Sequence, residues 1–193
     1  MGWFTTDVHT MDDLFLHTLQ DIYYAENRIE KSMPDMIAKA SDRELKKGLQ
    51  THLKQTRGHI KRLEQAFKKL KEEPKGVQCL AIEGILDEAN DIAGDVDDKM
   101  VLNAALIGAA QAVEHYEITR YGTLVTWAKT LGRNDVAKLL AANLKEEKAT
   151  DQKLLGIAKK KINRKAALRA KPKKMSRKEE ERMEQAIVGI PSI

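Results

Sequence analysis

The chain has 193 residues, of which 34 are Lys or Arg, 29 are Asp or Glu and 42% are hydrophobic. That length suits one domain with a sizeable core, and 11 Gly and 4 Pro amid abundant Ala, Leu, Lys and Glu favour helix over strand. A single cysteine, Cys79, excludes an intrachain disulfide, and no run reaches the ~18 uninterrupted apolar residues of a membrane span.

The opening MGWFTTDVHT has neither the basic start nor the apolar core of a secretory leader, so a cytoplasmic location without membrane contact is expected. The net charge of +5 divides unevenly. Residues 159–184 hold 12 basic and 4 acidic residues, a local +8; the rest hold 22 and 25, a net of −3. A mildly acidic body carries a basic tail.

The first long helix is predicted from about Met11 to Lys39. Thr10 and Asp13 have the spacing of a capping box, and Leu19, Ile22, Tyr23, Ile29, Met33 and Ile37 recur at intervals of three and four. Pro34 is expected to kink it or shift its axis. A turn at KASDREL follows, with Ser41 and Glu44 as a second capping box. The second helix then runs to about Glu73, where Pro74 and Gly76 stop it. A shorter helix, VQCLAIEGILDEANDIAG, sits in the long connection. Asp97 is the expected cap of a third long helix from about Asp98 to Leu131. LGRND turns the chain, Asn134 caps the fourth helix, and that helix runs to about Lys161. Two short turns and one long crossover give two antiparallel hairpins: an all-α, ferritin-like four-helix bundle over residues 1–162, with a basic extension over 163–193.

Polar residues interrupt each apolar stripe near its middle. Glu26 falls between Ile22 and Ile29. His52 and His59 break the second stripe, with Gln55 beside Thr56. Glu114 and Glu117 lie inside the third, and Glu147 and Asp151 inside the fourth. In an antiparallel bundle these middles meet at one level. Buried unpaired carboxylates there would cost several kcal/mol each or be forced to take up protons, and several at one level would repel strongly unless a cation sat among them. Two divalent metal ions do that, and hard oxygen ligands suit iron or manganese. Equal arms support the register: Glu26 precedes Gln55 by 29 residues and Glu114 precedes Glu147 by 33.

The stretches MDDLFLHTLQDIYYAEN, CLAIEGILDEAN, AALIGAAQAVEHYEITRYGTL and LKEEKATDQKL resemble the YciE/YciF family of bacterial stress-associated ferritin-like proteins, over about residues 9–162. The resemblance implies a ferritin-like bundle, a bacterial cytoplasmic stress protein, a homodimer and a carboxylate metal centre. It places family acids at Glu26, Glu114, Glu117 and Glu147. Where the family usually has Glu, this chain has Gln55. The general ferritin-like pattern also wants Glu-x-x-His on two helices, but residues 58 and 150 are Gly58 and Thr150. His59, His52 and Asp151 are the candidate substitutes, and Gln55 is read as either a ligand or a cross-bundle hydrogen-bonding group.

Three functions follow as expectations. The first is a di-metal protein acting on peroxide or dioxygen. The second is a helical stress protein that has lost metal and catalysis. The third is a protector that contacts nucleic acid through its basic tail, where clustered Lys and Arg attract phosphate without sequence preference. Within that tail, Ser176 and Glu179 could start a short helix that docks on a partner subunit. Cys79 and the tyrosines Tyr23, Tyr24, Tyr116 and Tyr121 are expected to be core residues, and His115 to face sideways.

Overall fold

The computed structural model describes residues 8–169, and every regular element within them is helical. In order these are α1 (Met11–Lys39), α2 (Arg43–Leu70), α3 (Leu80–Asp95), α4 (Lys99–Thr130), α5 (Asn134–Ile157), a π-helical turn (Ala158–Ile162) and α6 (Asn163–Ala167). Helices α1, α2, α5 and α4 pack as a closed ring of four, and α3 lies against α4 and α1. This is the expected pair of hairpins joined by one crossover. Among the described residues no helix is long and apolar enough to cross a membrane. The docking helix and most of the basic extension fall on residues outside 8–169.

Each stripe packs where its period points it. Leu19, Ile22, Leu45, Leu63, Phe67, Tyr121, Leu124 and Leu140 are wholly buried. A side chain of this kind contributes about 1.5–3 kcal/mol on burial. Thr10 and Asp13 form the expected capping box, and α1 runs through Pro34 unbroken.

Several boundaries differ from the sequence reading, each for a local reason. Asp42, not Ser41, caps α2, because its carboxylate accepts from the N–H groups of Glu44 and Leu45. Ser41 is instead bolted to α4: its N–H donates to Asn103 Oδ1 at 3.0 Å, and its hydroxyl accepts from Asn103 Nδ2 at 2.8 Å. Helix α2 stops at Leu70, short of Glu73, since Lys71 adopts φ 63° and the Glu72 N–H reaches back to Phe67. Asp98 rather than Asp97 caps α4. No side chain caps α5; Gly132, at φ 73°, provides the left-handed turn before it. The fourth helical run also continues past Lys161, through α6 to Ala167.

The crossover helix starts at Leu80, later than its apolar pattern suggested, and the residues just before it, Gly76 and Val77, lie against α1. The Val77 N–H bonds Gln20 O at 3.3 Å. Gly76 lies so close to Tyr24 that a Cβ would come within 3.0 Å of that side chain. Helix α3 is then clasped to α1. Arg28 donates twice to Glu83, at 2.6 and 2.8 Å, and the Tyr24 hydroxyl donates to the same carboxylate at 2.5 Å. The Arg28 bonds, seconded by Tyr24, hold the Glu83 carboxyl down at about 2. A depressed folded value means that the clasp is at full strength above about 4.5 and is lost as pH falls toward 2. Arg28→Gln should therefore lower stability at neutral pH, and the gap from wild type should close between those two pH values in urea titrations.

Candidate metal centre

The four long helices bring their polar interruptions to one level of the interior. Helix α1 contributes Glu26, α2 contributes His52, Thr56 and His59, α4 contributes Glu114, Glu117 and Tyr121, and α5 contributes Asn143, Glu147 and Thr150. All are buried, and Glu26, His59, Glu117 and Glu147 have no solvent exposure at all.

Two ligand sets result. His52, Glu114, Glu117 and Glu147 present donor atoms within 4.8 Å of one another, and so do Glu26, His59 and Glu147. Glu147 belongs to both sets. Its Oε1 lies 2.7 Å from His59 Nδ1, while its Oε2 is 3.8 Å from His52 Nε2. His59 Nδ1 is also 3.1 Å from Glu26 Oε1, and His52 Nε2 is 3.0 Å from Glu114 Oε1.

These contacts are close, yet many donor and acceptor atoms remain without an aligned hydrogen bond: Glu26 Oε2, His59 Nδ1, Glu114 Oε2, and both carboxylate oxygens of Glu117 and of Glu147. Buried polar groups are ordinarily satisfied, and an orphaned charge costs several kcal/mol. Orphans converging from four helices fit a cation set among them, and oxygen-rich donors with two imidazoles suit iron or manganese.

The outward atoms of the same residues are held. His59 Nε2 lies 2.9 Å from Glu146 Oε2, which also accepts from Arg62 at 2.7 Å. Arg62 bonds Asn143, whose Nδ2 donates to the Tyr121 hydroxyl at 2.8 Å, and that hydroxyl donates to Glu26 Oε1. His52 Nδ1 meets the Thr150 hydroxyl at 3.3 Å. Each imidazole thus has one nitrogen fixed from behind and the other aimed inward, the arrangement that metal-ligating histidines require.

Electrostatics separate the acids. Burial, aided by the neighbouring Glu147, pushes Glu114 up to about 11. Burial likewise raises Glu117 far above the carboxylate range, with Glu147 and Glu26 adding to it, and raises Glu26 against the pull of His59. For His59, burial acts downward but is outweighed by Glu26 and Glu147, which lift it to about 10. Burial would raise Glu147 too, yet the His59 bond and charge hold it below its usual value. Burial keeps His52 low and therefore neutral. Without metal these shifts favour a Glu147–His59 ion pair beside protonated Glu114 and Glu117.

Of the eight residues singled out from the sequence, six meet here: Glu26, His52, His59, Glu114, Glu117 and Glu147. Gln55 and Asp151 do not join them. Gln55 is half-buried at the α2–α5 seam, its oxygen 3.5 Å from the Thr150 hydroxyl. Asp151 is turned toward α4, accepting from Gln111 at 2.9 Å and pairing with His115, whose side chain is 69% exposed. The sequence reading missed Thr150, Asn143, Arg62 and Glu146, and took Tyr121 for plain core. Thr150 does leave a signal: it stands where a ferritin-like helix carries histidine, and His52 from the facing helix bonds to it.

Comparisons with known proteins agree with this architecture. A family model described as a domain of unknown function, DUF892, matches residues 10–167. The chain is 40% identical over 165 residues to protein YciF of Escherichia coli (strain K12), covering 85% of this chain and 99% of that one. The crystal structure of that E. coli stress protein superposes with a TM-score of 0.77, over 81% of this chain and 99% of that one. YcfI from Rhodopseudomonas palustris has 53% identity and a TM-score of 0.77, over 79% of this chain and 97% of that one. A two-domain protein from Anabaena variabilis with DJ-1/ThiJ/PfpI-like and ferritin-like domains is only 17% identical, with a TM-score of 0.55 over 87% of this chain and 41% of that one, a likeness of fold alone. With a family match spanning most of its length and YciF at 40% identity, the chain belongs to the DUF892 family and has a ferritin-like helical bundle fold.

Proposed function

We propose that this protein is a stress-associated metalloprotein whose bundle holds two divalent ions, iron or manganese, bridged by Glu147, and that this centre reacts with peroxide or dioxygen. The convergence of orphaned buried carboxylate and imidazole atoms carries the reading. Its stress association is supported by the likeness to the E. coli stress protein YciF.

Glu26, His59 and Glu147 would hold one ion, and His52, Glu114, Glu117 and Glu147 the other. When bound, two ferrous or manganous ions supply two electrons, enough to take one peroxide and two protons to two waters. The chain's own residues do the rest. Glu146 and Thr150 fix the two rings so that Nδ1 of His59 and Nε2 of His52 face inward. The Tyr121 hydroxyl occupies one oxygen of Glu26 and leaves the other for metal. The protein interior excludes bulk water from all four glutamates.

Anaerobic loading with ferrous or manganous salt, followed by desalting and elemental analysis, should give two ions per chain. Peroxide should then be consumed at one molecule per two ferrous ions. No transition metal above background after loading would overturn the reading. The residues behind the ligands should matter as well. Glu146→Ala and Arg62→Met should each weaken metal affinity about 10–100-fold in a chelator competition, with helicity unchanged.

A further inference from the structure

Charge on the outside of the bundle is segregated by helix. Helix α2 carries nine Lys or Arg and two Glu, a local +7, whereas α3 carries five acids and no base. The two lie on opposite sides of the molecule, α2 against α1 and α5, and α3 against α4 and α1. Helix α5, by contrast, mixes four Lys with four acids, the ordinary pattern of a solvated helix. On α2 the cations form one outward stripe. Arg43, Lys47, Lys54, Lys61 and Lys68 recur at intervals of four and seven residues and are all exposed. They span about 38 Å of helix at ~1.5 Å per residue. Among the described residues none of these five pairs with a carboxylate. The helix's own acids are engaged elsewhere: Glu44 pairs with Lys161 at 3.2 Å, and Glu64 accepts from the Tyr23 hydroxyl at 3.3 Å. At the Arg43 end the stripe opens into a recess among Ser41, Arg43, Lys46, Lys47 and Gln50.

Like charges along one helix face repel, and a polyanion laid on them removes that cost. The stripe itself narrows the choice of polyanion. Between its cations stand Gln50, Gly58 and Gln65, while the α2 rings of His52, His59 and Phe67 are buried. A lipid surface takes apolar side chains inserted beside the charge, and a single strand takes rings on which its bases stack. A protein partner takes an apolar patch at the centre of the contact. The outer face of α2 offers none of these. Duplex DNA needs none of them: it presents phosphate alone, about one charge per 1.7 Å of axis. Its helical turn of about 34 Å is close to the length of the stripe.

We propose that the outer face of α2 is a docking surface for duplex DNA, held through its phosphates without regard to sequence. The surface is separate from the metal centre, which the same helix serves from its inner face through His52 and His59. It is separate also from the basic extension, which begins past Arg169 near the Arg43 end: Arg169 pairs with Asp98, and Ser41 bonds Lys99 O. Fluorescence anisotropy of a labelled duplex with the full chain, metal-free, is the test. The wild type should bind, with log K falling against log salt at a slope of about −4 or steeper, near −0.9 for each phosphate engaged. Lys47→Gln, Lys54→Gln, Lys61→Gln and Lys68→Gln together should flatten that slope by about 3–4 and lower affinity about tenfold or more at ~50 mM salt, with helicity unchanged. Lys54→Glu with Lys61→Glu, half as many changes, should weaken binding in the same direction. Lys171→Gln, Lys173→Gln and Lys174→Gln in the extension should leave most of the slope in place. No binding at low salt, a slope that both α2 variants leave unchanged, or loss of all binding in the extension variant would overturn the proposal. Tighter capture by vesicles of phosphatidylcholine and phosphatidylserine, or by a single strand or an RNA duplex of equal length, would overturn it too.

Discussion

Replacing Glu147 with glutamine is expected to abolish binding of both ions. Its two oxygens serve the two ligand sets separately, so no other single side chain disables both. Loss of a supporting group behind a ligand already costs about 10–100-fold in affinity, and loss of the shared ligand should exceed that. Glutamine keeps the volume and removes the charge, so the bundle should still fold. The same change strips His59 of the carboxylate that bonds it, and His59 should then give up its proton at a lower pH. Competition titration with a chelator reads the affinity, and nuclear magnetic resonance of the imidazole reads the proton. Two ions still bound per chain would refute the bridging role.

Metal should also be a principal source of stability. At a free ion concentration about 100 times the dissociation constant, linkage adds about 2.7 kcal/mol. In a domain of this size that raises the melting temperature by roughly 5–10 °C, and a chelator should reverse it. Glu117→Leu should do the opposite to each half of this comparison. It removes two orphaned oxygens, so the metal-free protein should melt higher, while the increment from metal shrinks. The pH trend follows from the sign of the shifts. Glu114 is raised in the folded chain to about 11, from 4.5, so its contribution to metal-free stability is present below 4.5 and is lost as pH rises through about 11. Metal takes the ionised form, so the metal increment should grow with pH. Loading at pH 7 should release at least two protons, from Glu114 at about 11 and His59 at about 10. Calorimetry in buffers of different ionisation enthalpy would count them.

Much of this centre can be read from the sequence because helical period is a rigid ruler. The second stripe, with His52, Thr56 and His59 between Leu49 and Leu63, needs no structure to phase it, and all five are inward or nearly so. The fourth stripe is harder. After Leu140 either residue 143 or residue 144 continues the period, and hydropathy favours Leu144. The helix in fact buries Asn143, Glu147 and Thr150 and leaves Leu144 and Asp151 at the margin. Polar residues in the interior defeat a ruler that assumes apolar ones, and here Asn143 and Thr150 are spent on bonds to Tyr121 and His52. Arg62 and Glu146 were hidden for another reason: they lie at the rim, where sequence alone cannot distinguish a solvated ion pair from one that braces a buried histidine.

The two hairpins divide the ligands between them. Residues up to Leu70 bring Glu26, His52 and His59, while α4 and α5 bring Glu114, Glu117 and Glu147. Each ligand set draws side chains from both halves, so neither half carries a complete set alone. If the centre binds metal as proposed, the nascent chain would stay metal-free until α5 has emerged, and a metal ion would then act as a staple across the seam. Fragments severed between α2 and α3 should likewise cling together only while the metal is there.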